Sequence, residues 1–291
     1  MIFKKIGVIG GGTMGQGIAE MLSKKGLDVY LVEKTEQLLE QAFQMIEISL
    51  DKQIEKWAIT GTEKKLILSR IHKITDKSKL VEVDMVIETI TENIEMKKRV
   101  FAELDQVTKP DIVLASNTST LSLTEIASVV NDPGRVIGLH FLHPVSRIDL
   151  VELIRGLRTS EETYEQAKYF TETVIQKKGI MVFDSPGYVT TRLICILINE
   201  ALHTLQEGVA SAEDIDSAMR IGYDFRYGPL EMCDRFGLDA VLAAMEQMFR
   251  EYGDLKYRPS VLLKKMVRAG NLGVKTGEGF FKYDRDGDRI Q

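Results

Sequence analysis

His140 and Glu152 stand twelve residues apart near the ends of two short apolar runs, Arg135 to Phe141 and Ile148 to Ile154, with a turn around Pro144 between them. If the runs are neighbouring strands, the carboxylate holds one imidazole nitrogen protonated and leaves the other to act as a base. That is a proton-transfer pair, though a histidine near a strand end is often structural. A second group lies near the start of the chain, where Gly10, Gly11, Gly12, Thr13, Met14 and Gly15 spell G-x-G-x-x-G. Gly10 permits a tight turn, Gly12 lets the backbone approach a pyrophosphate, and Gly15 lets helix and strand pack closely. Glu33 follows 18 residues after Gly15, where an acidic side chain binds the adenosine ribose hydroxyls. Glu33 repels a 2′-phosphate and so favours NAD over NADP, with Lys34 beside it pulling the other way. A third group, Ser49, Lys52 and Lys56, falls at i, i+3 and i+7. On one helix face those groups suit phosphates, or simply water.

The elements that must position these residues follow from the hydrophobic pattern. Lys5 to Ile9 reads as a buried parallel strand running into the glycine turn and a helix to about Lys25, and Leu27 to Val32 as the next strand. Helices are expected over Thr35 to Ala58, Glu63 to Ile71, Ile94 to Val107 and Thr124 to Val129, and strands over Asp84 to Glu88 and Ile112 to Ala115. Strands alternating with helices as far as Phe183 make a doubly wound, mostly parallel α/β sheet of the Rossmann type, spanning residues 1–185. Ligands of such a sheet bind at the carboxyl ends of the strands, so the turns after Gly10, Glu33, Glu88, Ala115 and His140 should share one edge. Beyond Asp184-Ser-Pro-Gly187 the periodicity is helical throughout, over Tyr188 to Gln206, Ala212 to Ile221, Leu238 to Glu251 and Val261 to Ala269. Residues 186–291 are therefore expected to form a smaller, all-helical domain. Its first helix is apolar around most of its circumference, which points to a homodimer joined through this domain.

Composition excludes several classes. With 44% hydrophobic and 28% charged residues and a net charge of −5, the 291-residue chain is that of an ordinary globular protein without a broad nucleic-acid or membrane footprint. Met1 leads into Ile-Phe-Lys-Lys-Ile without the apolar run of a signal peptide, and the two cysteines, Cys195 and Cys233, lie in apolar helical sequence. The expected compartment is the cytoplasm. No metal site is expected: His143 follows His140 by three residues, but Pro144 opposes a helix presenting both rings, and no cysteine or carboxylate cluster completes a ligand set.

Several ordered segments together resemble the 3-hydroxyacyl-CoA dehydrogenase family over nearly the whole chain. They are Gly10 to Gly15 with Glu33, Ser116-Asn-Thr-Ser119, His140-Phe with Pro144-Val and Leu150-Val-Glu152, Pro186-Gly187, Gly228-Pro229-Leu230 and Lys275-Thr-Gly-Glu-Gly-Phe280. The resemblance implies oxidation of a short-chain (S)-3-hydroxyacyl-CoA to the 3-ketoacyl-CoA with NAD as the acceptor. It implies His140 as base, Glu152 as its orienter, and Ser119 near the substrate oxygen and the cofactor. Glu92, Lys97 and Lys275 resemble cofactor contacts, and Ser49 and Lys56, with Lys52 between them, contacts to coenzyme A. Two residues depart from the family pattern, which carries asparagine at the cofactor-contacting place of His143 and at the place of Thr191, near the reacting carbonyl. A threonine hydroxyl donates one hydrogen bond but cannot match an amide's reach. Competing expectations are a dehydrogenase of a small 3-hydroxy acid without coenzyme A, and an NAD-binding structural or regulatory protein of reduced turnover.

Overall fold

A computed structural model describes residues 3–290; Met1 and Ile2, where the chain start was read, and Gln291 lie outside the described residues. The chain divides into two compact units, Met1–Ser185 and Pro186–Gln291. In the first unit β1 (Lys5–Ile9), α1 (Thr13–Lys24), β2 (Asp28–Val32), α2 (Glu36–Glu55), α3 (Gly61–Ser69) and β3 (Ile71–Ile74) follow one another. Then come β4 (Met85–Glu88), α4 (Ile94–Val107), β5 (Val113–Ser116), α5 (Leu123–Ala127), β6 (Val136–Phe141), β7 (Leu150–Arg155), α6 (Glu161–Tyr169) and β8 (Lys178–Phe183). The eight strands form one sheet in the order β3-β2-β1-β4-β5-β6-β7-β8.

Neighbouring strands from β3 through to β6 are parallel, so their carboxyl ends lie on one edge. The chain leaves β1 toward β2 on one side and later returns to β4 on the other, which opens a crevice at the end of β1. Helices cover both faces, and the central strands are accordingly continuous apolar runs, with Ile6, Val8, Val86, Ile87 and Leu114 fully buried. β7 runs antiparallel to β6 and brings the chain back from that same edge.

The segment expected as a helix to Ile71 stops earlier. Ser69 is the last helical residue and Ile71 opens β3, an edge strand whose Ile71 and Ile74 are buried while His72 and Lys73 face water. Only two apolar residues mark it, too few to set a strand period.

The second unit holds α7 (Thr190–Gln206), α8 (Ala212–Tyr223), α9 (Pro229–Phe236), α10 (Leu238–Tyr252) and α11 (Val261–Arg268) around a core including Ile198, Leu202, Leu230, Leu238, Met245, Met248, Tyr257 and Leu263. It is helical but not all-helical, because β9 (Lys282–Tyr283) and β10 (Arg289–Ile290) form a small antiparallel hairpin. Buried Asp234 folds the glycine-rich loop onto α9: its oxygens accept the Phe280 and Phe281 N–H groups and the Tyr283 hydroxyl, each at 2.9 Å. Cys195 and Cys233 are both free and buried. Among the described residues no helix is long and apolar enough to cross a membrane.

Candidate active site

The glycine turn joins β1 to α1. Gly10 has a φ of 102°, a backbone conformation that side chains rarely tolerate. A Cβ at Gly15 would lie 1.8 Å from the Gly10 carbonyl oxygen and 2.7 Å from Thr89 Oγ1, so backbone would have to move. Gly12 caps α1 without a side-chain hydrogen bond, no acidic residue occupies the first turn, and nothing stands within 4 Å of where its Cβ would be. An anion can therefore approach N–H groups at the positive end of the helix dipole. Glu33, just past β2, accepts the Gly11 N–H at 2.7 Å, which places its carboxylate beside the turn. These features fit a dinucleotide. Gly15→Ala is expected to weaken NADH binding at least tenfold and to lower stability by about 2 kcal/mol, the scale of forced overpacking. An NADH titration and a thermal melt read the two effects.

The ends of β4 and β5 carry a buried polar network. Glu88 Oε1 accepts from Lys97 Nζ at 2.7 Å and from the Ile90 N–H at 2.6 Å, while Oε2 accepts from the Ser116 hydroxyl at 2.7 Å. Lys97, expected as a cofactor contact, is only 1% exposed, and its ammonium lies 3.6 Å from Glu92 Oε2. It reaches the loop after β5 through Glu92. Glu92 Oε1 in turn accepts the Ser119 N–H at 2.8 Å, the Ser119 hydroxyl at 3.2 Å, the Thr118 hydroxyl at 2.7 Å and the Thr120 N–H at 3.0 Å. Burial pushes the Glu92 carboxyl upward, but Lys97 and these donors outweigh it and hold the group below its ordinary value. A charged carboxylate thus fixes the Ser119 loop.

That loop is also tied to the strand bearing His140. Asn117 Oδ1 accepts the Phe141 N–H at 2.9 Å, one residue beyond His140. His140 is directly opposite Glu152 in the β6–β7 pair, and His140 Nδ1 lies 2.6 Å from Glu152 Oε2. Both are buried, Glu152 completely. The carboxylate selects the tautomer with hydrogen on Nδ1, which makes Nε2 the basic nitrogen. His143 is exposed in the turn after β6 and precedes Pro144 through a cis peptide. Among the described residues no group of three or more histidine, cysteine, aspartate or glutamate side chains could hold a metal ion.

The remaining expected residues lie on α2 and in the second unit. Ser49 is half-buried on α2, Lys52 is exposed one turn on, and Lys56 is the exposed C-terminal cap. Thr191 is half-buried in the first turn of α7. Exposed Lys275 donates to Asp239 Oδ2 at 2.6 Å. Glu88 and Asn117 had no assigned role from sequence. A carboxylate ending an otherwise apolar strand was the available signal for Glu88; for Asn117 only the quoted Ser-Asn-Thr-Ser segment pointed there.

Comparison with known proteins bears on the whole chain. The family model for the 3-hydroxyacyl-CoA dehydrogenase NAD binding domain matches residues 5–185, and that for the C-terminal domain matches residues 187–283. The chain belongs to the 3-hydroxyacyl-CoA dehydrogenase family. It is thus an NAD-dependent oxidoreductase. The dehydrogenase is 43% identical to a probable 3-hydroxybutyryl-CoA dehydrogenase of Deinococcus radiodurans over 96% of this chain and 100% of that one. It is 41% identical to a 3-hydroxybutyryl-CoA dehydrogenase of Clostridioides difficile, covering 97% and 100%. Among solved structures, the (S)-3-hydroxybutyryl-CoA dehydrogenase PaaH1 of Ralstonia eutropha superposes with a TM-score of 0.90 at 40% identity, over 98% of this chain and 100% of that one. M. tuberculosis FadB2 gives 0.95 at 36% identity with the same coverage.

Proposed function

We propose that the dehydrogenase oxidises short-chain (S)-3-hydroxyacyl-CoA thioesters to 3-ketoacyl-CoA, and reduces them in reverse, with His140 as base and acid. The observation that carries this reading is the 2.6 Å contact between His140 Nδ1 and Glu152, on the sheet edge that also bears the dinucleotide turn. Nε2 takes the proton of the 3-hydroxyl, and Glu152 stabilises the imidazolium that results. When bound, NAD supplies the acceptor for the hydride leaving C3. In the reverse direction the imidazolium returns the proton to the 3-keto oxygen. Ser119, whose backbone N–H stays on Glu92, turns its hydroxyl hydrogen from Glu92 to the same oxygen. Gly10, Gly12, Thr13, Met14, Gly15 and Glu33 hold the cofactor, assisted by Glu92 and His143, while Lys97 acts through Glu92.

The coenzyme A portion lies along α2, on Ser49, Lys52 and Lys56. The exposed Leu193 of α7 and Ile221 and Tyr223 of α8 support a homodimer joined through the second unit, and the chain is read as cytoplasmic. The test is NADH consumption followed with 3-ketoacyl-CoA esters of increasing length, beginning with acetoacetyl-CoA. Turnover is expected to be fastest on the short esters; none on any ester would overturn the reading. Replacing Lys52 and Lys56 with alanine is expected to raise the KM for acetoacetyl-CoA about tenfold, through two lost phosphate contacts, while the KM for NADH stays within about twofold. An unmoved KM for the thioester would favour a substrate without coenzyme A.

A further inference from the structure

Helix α2 ends on a residue that neither backbone nor burial explains. The Ala58 N–H donates to the Gln53 carbonyl and the Trp57 N–H to the Ile54 carbonyl, both at 2.9 Å, the paired bonds of a left-handed helix stop. Trp57 occupies the left-handed position, with a φ of 56°. Glycine fills that position without strain, whereas the Cβ of a bulky residue opposes it. Solvation offers no compensation, because the indole is 95% exposed. A large aromatic side chain held in a disfavoured backbone and presented to water calls for a ligand.

The rest of the helix face identifies the chemistry. Met45, Ile48, Ser49, Lys52 and Lys56 fall within an arc of about 100° at 3.6 residues per turn. Met45 and Ile48 are 51% and 48% exposed on a helix that buries Leu39, Ala42, Ile46 and Leu50. Read toward the C-terminus, the face offers apolar surface, a hydroxyl, two ammonium groups and finally an indole. Coenzyme A has the same order: an extended pantetheine arm, phosphates, then adenine. From Met45 to Trp57 the helix rises about 18 Å, enough to separate such parts.

We propose that Trp57 is a substrate-binding residue whose indole stacks on the adenine of coenzyme A, with Lys52 and Lys56 on the phosphates and Met45 and Ile48 along the pantetheine arm. The proposal rests on the reading that the substrate is a coenzyme A thioester. It assigns the residue that recognises the nucleotide end. Stacking is tolerant of geometry and suits an exposed helix terminus, where an aromatic face needs no enclosing pocket.

Trp57 is the sole tryptophan, so tryptophan emission from the full chain reports this position alone. Coenzyme A and adenosine 3′,5′-bisphosphate are expected to quench it saturably, and pantetheine to leave it unchanged. Trp57→Gly suits the left-handed backbone and is expected to fold. Its KM for acetoacetyl-CoA should rise about 5- to 150-fold, the range of a lost base stack, with the KM for NADH within about twofold. Trp57→Phe should recover part of the loss, and on acetoacetyl-pantetheine, which lacks adenine, Trp57→Gly and the wild type should agree. Turnover of acetoacetyl-CoA by the wild type with an unmoved KM in Trp57→Gly, or with no quenching by coenzyme A, overturns this proposal alone. A wild type inert toward every 3-ketoacyl-CoA ester overturns the functional reading and the proposal with it.

Discussion

His140→Gln is expected to lower kcat for acetoacetyl-CoA reduction by about 10²- to 10⁴-fold, the usual contribution of a positioned general acid or base. NADH affinity should change by less than about twofold. The substitution is chosen for the environment of the pair. Glu152 is fully buried and 2.6 Å from the ring, so a truncation to alanine would leave a carboxylate without its imidazole partner and would unfold the site as well as disarm it. Glutamine keeps an N–H for the carboxylate and fills similar space, but it has no nitrogen that takes up a proton. A stopped-flow measurement of NADH oxidation, with NADH fluorescence enhancement as the binding readout, separates the two quantities. Equal rates with intact binding would remove His140 from the chemistry.

The parts of this arrangement differ in how well the sequence announced them. β1, its glycine turn and Glu33 were legible because each is a local requirement: a buried run, a φ that glycine supplies, a carboxylate at the next strand end. The facing of His140 and Glu152 was legible only conditionally, since it needed β6 and β7 to be antiparallel neighbours, and that register is set by long-range pairing. The Glu88–Lys97–Glu92 network was not legible as a network. Its members come from β4, α4 and the connection between them, and what makes Lys97 internal is the covering of its ammonium by two carboxylates. The hairpin β9–β10 escaped because two-residue strands carry no period, and its Tyr283 is placed by a hydrogen bond to Asp234, 49 residues earlier. Trp57 gave no sequence signal either, because its interest lies in a positive φ combined with exposure.

In the proposed reaction proton transfer is local, while positioning is distributed over the polar scaffold. Asn117 binds the Phe141 N–H, Glu92 binds five donors of the Ser119 loop, and Lys97 links that loop to Glu88 at the end of the next strand. Three adjacent strand ends are thereby held in fixed relation, which the proposed action of Ser119 and His140 on a single oxygen atom requires.

Glu152→Gln should reduce kcat by a comparable factor, about 10²- to 10⁴-fold, with little loss of stability. The amide retains the size of the carboxylate and one oxygen to accept from Nδ1, yet it can also turn its NH₂ toward the ring and select the tautomer with hydrogen on Nε2, which has no lone pair for the substrate proton. The wrong tautomer is what costs a serine protease triad its rate when the buried acid becomes an amide, and here the amide also carries no charge to stabilise the imidazolium formed during oxidation. Stability behaves differently because the wild-type protein must keep an acidic group fully out of water, and a neutral amide is cheaper to bury. A thermal melt within a few degrees of wild type, beside a rate lowered at least a hundredfold, is the expected pair of results. If kcat survives and only the melt shifts, Glu152 holds β6 against β7 without orienting the base, and the ring of His140 must owe its tautomer to another neighbour.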